Sequence, residues 1–456
     1  MSPIWSNWPG EQVCAPSAIV RPTSEAELAD VIAQAAKRGE RVRAVGSGHS
    51  FTDIACTDGV MIDMTGLQRV LDVDQPTGLV TVEGGAKLRA LGPQLAQRRL
   101  GLENQGDVDP QSITGATATA THGTGVRFQN LSARIVSLRL VTAGGEVLSL
   151  SEGDDYLAAR VSLGALGVIS QVTLQTVPLF TLHRHDQRRS LAQTLERLDE
   201  FVDGNDHFEF FVFPYADKAL TRTMHRSDEQ PKPTPGWQRM VGENFENGGL
   251  SLICQTGRRF PSVAPRLNRL MTNMMSSSTV QDRAYKVFAT QRKVRFTEME
   301  YAIPRENGRE ALQRVIDLVR RRSLPIMFPI EVRFSAPTIP SCRPHMGATL
   351  ATSRFINTPV WSSKATSAPS RRSWTTTPVG HTGVNVTIRP PPRFVSAIRS
   401  GIGSPRFAIA SIRTGCFSTT TPGAFSVPDN ESTNPRGVRP ISTRSQPRTD
   451  ISGGMA

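Results

Sequence analysis

Ser112-Ile113-Thr114-Gly115-Ala116-Thr117-Ala118-Thr119-Ala120-Thr121-His122-Gly123-Thr124-Gly125 is a run of small residues in which Ile113 and His122 are the only large side chains. A helix buried in a core needs Leu or Ile at helical spacing, and a solvated linker has no use for alternating Ala and Thr. The run fits backbone drawn closely around a flat or elongated ligand. Two more small-residue turns flank it in sequence. Val45-Gly46-Ser47-Gly48-His49-Ser50-Phe51 follows a short strand, Arg41 to Val45. Its small side chains let backbone N–H groups approach an anion. Phe51 stands where G-x-G-x-x-G would place its third glycine, so a Rossmann nucleotide site is not indicated. Leu163-Gly164-Ala165-Leu166-Gly167-Val168-Ile169 leads into a further strand.

Around these turns the first 180 or so residues alternate between helix and strand. Thr23-Ser24-Glu25-Ala26-Glu27 reads as a capping box with Ser24 as N-cap, followed by Leu28, Val31, Ile32 and Ala35 at helical spacing. Leu79 to Val82 reads as a strand and Lys87 to Arg98 as a helix. Ile135 to Leu150 reads as two strands turning at Gly144-Gly145. From Thr181 the texture changes. A helix over Leu191–Val202, an aromatic strand over His207–Phe213, and strands Arg295–Ile303 and Ile326–Phe334 about a helix Glu306–Arg322 predict a second α+β domain.

A chain of 456 residues suits two or three domains. No apolar run is long enough to span a membrane, and Met1 to Gly10 lacks the pattern of a secretory signal, so a cytoplasmic protein is expected. Cys14, Cys56, Cys254, Cys342 and Cys416 are odd in number and widely spaced, which argues against a disulfide framework or a metal site. The net charge of +13 suggests nucleic acid at first sight. From Thr338 onward, however, there are 14 Lys+Arg and 3 Asp+Glu, against 39 and 37 before it. The body is nearly neutral. The tail's aromatics, among them Phe355, Trp361 and Trp374, follow no pattern of the kind a single-strand binder shows. No nucleic-acid partner is expected.

Taken in order, the motifs Val45–Phe51, Gly115–Gly125 and Leu163–Ile169 resemble the FAD-binding domain of the vanillyl-alcohol-oxidase superfamily. Trp5-Ser6-Asn7-Trp8 and Pro329-Ile330-Glu331-Val332-Arg333-Phe334 resemble its aldonolactone branch, the L-gulono- and D-arabinono-1,4-lactone oxidases and dehydrogenases. The resemblance runs from about Trp5 to Ala336. It implies a two-domain α+β fold with an FAD domain over residues 11–178 and a substrate domain, left incomplete, over 179–336.

The resemblance also assigns residues. Gly46, Ser47, Gly48, His49 and Ser50 would hold the pyrophosphate. His49 occupies the position where many members bond histidine to the flavin 8α carbon, the alternative being a hydrogen-bonding His beside a noncovalent flavin. Ser112, Gly115, Ala116, Thr119, His122, Gly123, Thr124 and Gly125 would line the flavin, with Ser112 counted among the catalytic residues. Val168 and Ile169 would meet the adenine end. Gly106 and Asp107 would also border the cofactor, and Gly106 matches a position held to gate oxygen, where glycine leaves room for O2; a plain turn glycine is the alternative. The implied substrate is a sugar lactone. The implied electron acceptor is O2 or a protein or quinone, and peripheral membrane association is compatible. A polyol or sugar oxidase of the same superfamily and an inactive flavin-binding remnant are the competing readings.

Glu331 and Arg333 lie two apart on a strand and so share a face. Phe328, Pro329, Ile330 and Phe334 surround them with apolar bulk, and a charged pair in such a setting needs a partner. The resemblance puts both at the substrate: Arg333 against negative charge near flavin N1, Glu331 on the lactone hydroxyls.

After Ala336 acidic residues almost vanish and periodicity stops, which predicts a segment without regular structure. The family carries His-Trp-Gly-Lys in its C-terminal part. Here Val379-Gly380-His381-Thr382-Gly383-Val384-Asn385-Val386-Thr387, read one base out of register, permits Pro-His-Trp-Gly-Lys-Arg-His. An out-of-frame tail over 337–456 is therefore expected.

Overall fold

A computed structural model describes residues 2–290 and 294–337 and the backbone course of 347–355; along 236–247 only the backbone is described. All of these fall in one unit, Met1–Phe417.

The N-terminal half is built around two larger sheets, beside an N-terminal hairpin pairing Trp5–Ser6 with Val13–Cys14 and a short pair of Leu100–Gly101 with Val177–Pro178. Ala18–Val20, Val60–Asp63 and Val42–Val45 form a parallel sheet in the order first, third, second along the chain. The helix Glu25–Lys37 covers it and contributes Leu28, Ile32 and Ala35 to the core. Ser24 caps that helix by accepting from the Glu27 N–H at 3.2 Å. Glu27 does not close the predicted box on Ser24. Its carboxylate takes the N–H of Thr23 at 2.7 Å, one residue earlier.

The second sheet is antiparallel. Its centre is Val168–Gln175, flanked by Ile135–Val141 and Leu79–Glu83. Val147–Leu150 and Val70–Asp74 are its edges. Val80, Val82, Leu138 and Val172 pack from this sheet against Leu88, Leu91 and Leu95 of the helix Leu88–Gln97.

From Thr181 a single seven-stranded antiparallel sheet takes over. Its spatial order is Ser278–Arg283, Thr181–Ser190, Lys218–Ser227, His207–Val212, Ile330–Ser335, Gly347–Phe355, Phe296–Pro304. One face carries Phe208, Phe210, Ile330, Val332 and Phe334, covered by the helix Gly308–Arg321 through Leu312, Val315 and Ile316. Two helices the sequence reading did not single out, Gly236–Arg259 and Ala264–Met274, are inserted between strands.

Two expectations need correction. The Ser112–Gly125 run is not loop throughout, because Ile113–Ala118 is a short helix. Ser112 caps it at the Gly115 N–H, 3.3 Å away, and Thr117 returns its hydroxyl to the Ile113 carbonyl at 3.0 Å, so small polar residues satisfy the turn locally. Nor is the chain after Ala336 wholly without regular structure. Gly347–Phe355 is a strand lying between Ile330–Ser335 and Phe296–Pro304. Backbone pairing tolerates almost any side chain, and those two strands offer facing edges to whatever extended segment follows. The rest of the tail lies outside the described residues.

Candidate active site

The three small-residue turns meet. A Cβ on Gly46 would overlap the Ser112 side chain, so the first and second turns are in contact. Ser47 Oγ donates to the Pro110 carbonyl. Leu163 N–H reaches the Ala118 carbonyl at 3.2 Å, which brings in the third turn. Gly84 joins them: its N–H bonds the Ser170 carbonyl at 2.7 Å, and its own carbonyl accepts from Thr114 Oγ1 at 2.7 Å. A Cβ on Gly84 would overlap the Ile169 carbonyl. Val168 and Ile169 are buried where the strand Val168–Gln175 begins.

The Gly46–Ser50 turn is held from outside by the N-terminal hairpin. Trp8 N–H bonds the Gly48 carbonyl at 2.7 Å, and Asn7 Nδ2 bonds the Ser50 carbonyl at 3.0 Å. Gly48 has φ +63°, a conformation that favours glycine, and its Cα faces Trp5. His49 stacks on Trp8 at 4.5 Å, and Phe51, Phe296 and Phe328 extend the aromatic packing. Burial pushes the His49 imidazole down to about 4, so it is neutral at pH 7.

These turns make a cradle. Among the described residues no acceptor takes the backbone N–H of Ser47, Gly48, His49 or Ser50, nor that of buried Gly123 or Thr124. Buried N–H groups such as those of Gly123 and Thr124 are rarely left orphaned, and the half-buried row Ser47 to Ser50 with the small residues beside it fits a phosphate-bearing, planar cofactor.

The second half of the site lies on the seven-stranded sheet. Along Ile330–Ser335, Ile330, Val332 and Phe334 point into the core, while Glu331 and Arg333 point to the other face. Arg333 pairs with Asp107 at 3.0 Å, with Glu209 at 3.3 Å and with Glu331. Burial works against its charge, but the three carboxylates outweigh that and hold it firmly protonated. Asp107, expected at the cofactor, thus has its carboxylate on Arg333.

Beside this cage, His122 Nε2 meets Glu300 at 2.6 Å and His122 Nδ1 donates to the Gly123 carbonyl at 2.7 Å. Burial favours neutral His122. Glu300 more than offsets it, and the imidazole sits above its usual range. A small cavity opens beside Arg333, lined by Gln105, Asp107, Gly123, Thr124, Glu209 and Arg222 and closed by Met224, Val287 and Phe288. Gly106 lies between the lining residues Gln105 and Asp107 in sequence; a Cβ there would lie 3.2 Å from the His122 carbonyl oxygen.

The two halves are stitched at Thr124–Gly125. Gly125 N–H bonds the Phe334 carbonyl at 2.6 Å, and Thr124 Oγ1 donates to the Phe208 carbonyl and accepts from Phe334 N–H at 3.3 Å. The Thr124 carbonyl takes His207 Nδ1 at 2.7 Å. His122 to Gly125 therefore border both the cradle and the Arg333 cage.

Glu209, Arg222, Glu300 and Gly84 escaped the sequence reading. Glu209 was signalled by its setting, one acid inside His207-Phe208-Glu209-Phe210-Phe211, and Gly84 by a small-residue turn straight after a strand.

This cradle, with an N-terminal α+β part followed by a seven-stranded antiparallel sheet, defines a flavoprotein oxidoreductase of the vanillyl-alcohol-oxidase fold. Cholesterol oxidase from Brevibacterium sterolicum shares that fold at TM-score 0.64 and 17% identity, over 79% of this chain and 80% of its own. The FAD binding domain profile matches residues 16–151, and the D-arabinono-1,4-lactone oxidase profile matches 172–377. L-gulonolactone oxidase of Mus musculus is 34% identical over 339 residues, 73% of this chain and 76% of that protein. D-arabinono-1,4-lactone oxidase of Yarrowia lipolytica is 28% identical over 73% of this chain and 67% of its own length. The chain belongs to the family of FAD-dependent aldonolactone oxidases.

Proposed function

We propose that this protein oxidises an aldono-1,4-lactone, L-gulono- or D-arabinono-1,4-lactone, at its C2 hydroxyl. The observation that supports this most directly is Arg333, a buried cation caged by carboxylates and adjoining the His122–Gly125 segment of the cradle. Bound FAD supplies hydride acceptance at its N5. The turn Gly46 to Ser50 holds the pyrophosphate through the N–H groups of Ser47 to Ser50, with Gly46 letting the turn close onto Ser112. Ser112, Gly115, Ala116, Thr119 and His122 to Gly125 line the ring system, and the backbone at Val168 and Ile169 meets the adenine end. His49, neutral and fixed by Trp8, is the ring nitrogen available to a covalent flavin link.

In the same reading Arg333 stabilises negative charge as it develops on the cofactor side, and Glu331 orients the lactone hydroxyls. Glu300 favours the protonated form of His122 against burial, which would add positive charge beside Arg333. The product is a keto-lactone that enolises to an ascorbate-like compound. Gly106 matches the family position where glycine leaves room for O2, so O2 is the proposed acceptor; a protein or quinone acceptor would show as turnover without oxygen. Among the described residues no helix is long and apolar enough to cross a membrane. We place the enzyme in the cytoplasm, and cell fractionation tests that against attachment to a membrane surface. Anaerobic titration with the two lactones is the central experiment. Flavin bleaching by lactone and not by open-chain polyols is expected, and bleaching by neither lactone ends the proposal.

The tail belongs to the same reading. Its basic composition and the shifted Pro-His-Trp-Gly-Lys-Arg-His support translation in a second frame, which removes the lysine the family carries near its substrate. The family profile runs on to residue 377, past Ala336. The nucleotide sequence across 337–387 decides: an alternative frame that meets stops, or yields nothing family-like, rejects the shift.

A further inference from the structure

Four charged residues stand in one row across four adjacent strands. Asp186 is the register partner of Arg222, Arg222 of Glu209, and Glu209 of Arg333. Their side chains follow the register. Arg222 Nε meets Asp186 at 2.8 Å, Arg222 Nη1 meets Glu209 Oε1 at 3.0 Å, and Arg333 Nε meets Glu209 Oε2 at 3.3 Å. Glu209 is 5% exposed and Arg222 11%. Each oxygen of Glu209 thus serves a different arginine, and Asp186 secures the outer one from behind.

Such a buried row is expensive to desolvate, and replacing it with apolar residues would serve packing at least as well. Its geometry serves something else. Arg333 carries the charge in the proposed chemistry, and its effective charge depends on how much of Glu209 it keeps. Arg222 draws Glu209 the other way. We propose that Glu209 is a positioning residue that sets both the placement and the effective charge of Arg333, with Arg222 tuning it from the next strand.

The proposal rests on the flavin and Arg333 lying together, but not on the identity of the lactone. The test therefore uses sulfite, an anion whose addition bleaches flavin and is favoured by positive charge beside it. The full-length protein carrying FAD is titrated with sulfite, and FAD content is measured alongside. Glu209→Gln removes the carboxylate and should tighten sulfite binding on the order of tenfold, with FAD retained. Glu209→Asp keeps the charge and should stay near the parent value. Arg222→Gln leaves Glu209 wholly to Arg333 and should weaken sulfite binding.

Sulfite affinity that is unchanged or lower in Glu209→Gln overturns the proposal. Loss of FAD from both Glu209→Gln and Glu209→Asp also overturns it, because that is the behaviour of a packing residue. If Glu209→Gln alone loses FAD, Arg222→Gln decides, and no weakening there overturns it. Failure of any lactone to bleach the parent would end the substrate assignment while leaving these sulfite values to be read.

Discussion

Glu209 and Arg333 face each other directly across neighbouring antiparallel strands, with their side chains 3.3 Å apart and nearly sealed from solvent. An arginine so placed cannot swing toward a ligand; it is fixed before the ligand arrives. Preorganised charge of this kind contributes most where negative charge develops during reaction.

Arg333→Ala should lower the rate of flavin reduction by lactone about 10²- to 10³-fold while FAD content changes little. Stopped-flow reduction under anaerobic conditions measures the first, and the visible spectrum the second. An unchanged reduction rate would place Arg333 outside the reaction.

Acid precipitation of the purified protein should carry yellow colour into the pellet, and His49→Ala should release it to the supernatant. Quantitative release from the parent would remove the covalent link and leave FAD binding intact.

Gly46→Ala forces a methyl group into the Ser112 side chain. Overpacking of this sort costs about 1–3 kcal/mol. The variant should melt earlier than the parent and hold less FAD, whereas Gly248→Ala, in the helix Gly236–Arg259, whose Cβ would meet nothing within 4 Å, should hold FAD as the parent does.

His207 gives the pH dependence. It is fully buried, stacked on Phe128 at 4.6 Å, and burial lowers it to about 4. An unfolded histidine titrates near 6.5. Between those values the unfolded chain binds the proton and the folded chain does not. Stability from this group is therefore present above about pH 6.5 and lost as pH falls toward 4. His207→Phe should reduce the slope of unfolding free energy against pH near pH 5 by close to one proton, about 1.4 kcal/mol per pH unit. Equal slopes in denaturant titrations would contradict this.

Gly106→Ala should slow reoxidation of the reduced flavin by O2 and leave reduction by lactone nearly unchanged. The added methyl would sit 3.2 Å from the His122 carbonyl oxygen and crowd that segment. Equal slowing of both half-reactions would show a general distortion instead.

What could be read from the sequence was local. Ser24, the strand Leu79–Glu83 and the alternation of Ile330 to Ser335 announce themselves through capping and period. The Glu331–Arg333 pair and the small-residue turns stand out because their composition defies an ordinary core. The Glu209 and Arg222 partners did not stand out, because register between strands far apart in sequence decides which charges meet. His122–Glu300 spans 178 residues, and no period within either segment encodes it. The helix Ile113–Ala118 was hidden because its stability comes from Ser and Thr side chains returning to the backbone rather than from an apolar stripe.

The seam at Gly125 and Phe334 has a consequence for the order of events during synthesis. The Gly125 N–H waits for a carbonyl that is 209 positions further along the chain, and Phe128 waits likewise for Ala336. A ribosome that has released the whole N-terminal half has still not delivered the strand that closes the His122–Gly125 border of the cradle. That border of the cradle is then completed late, with the arrival of Phe334. Errors in the last third of the chain would be felt first as an empty flavin cradle.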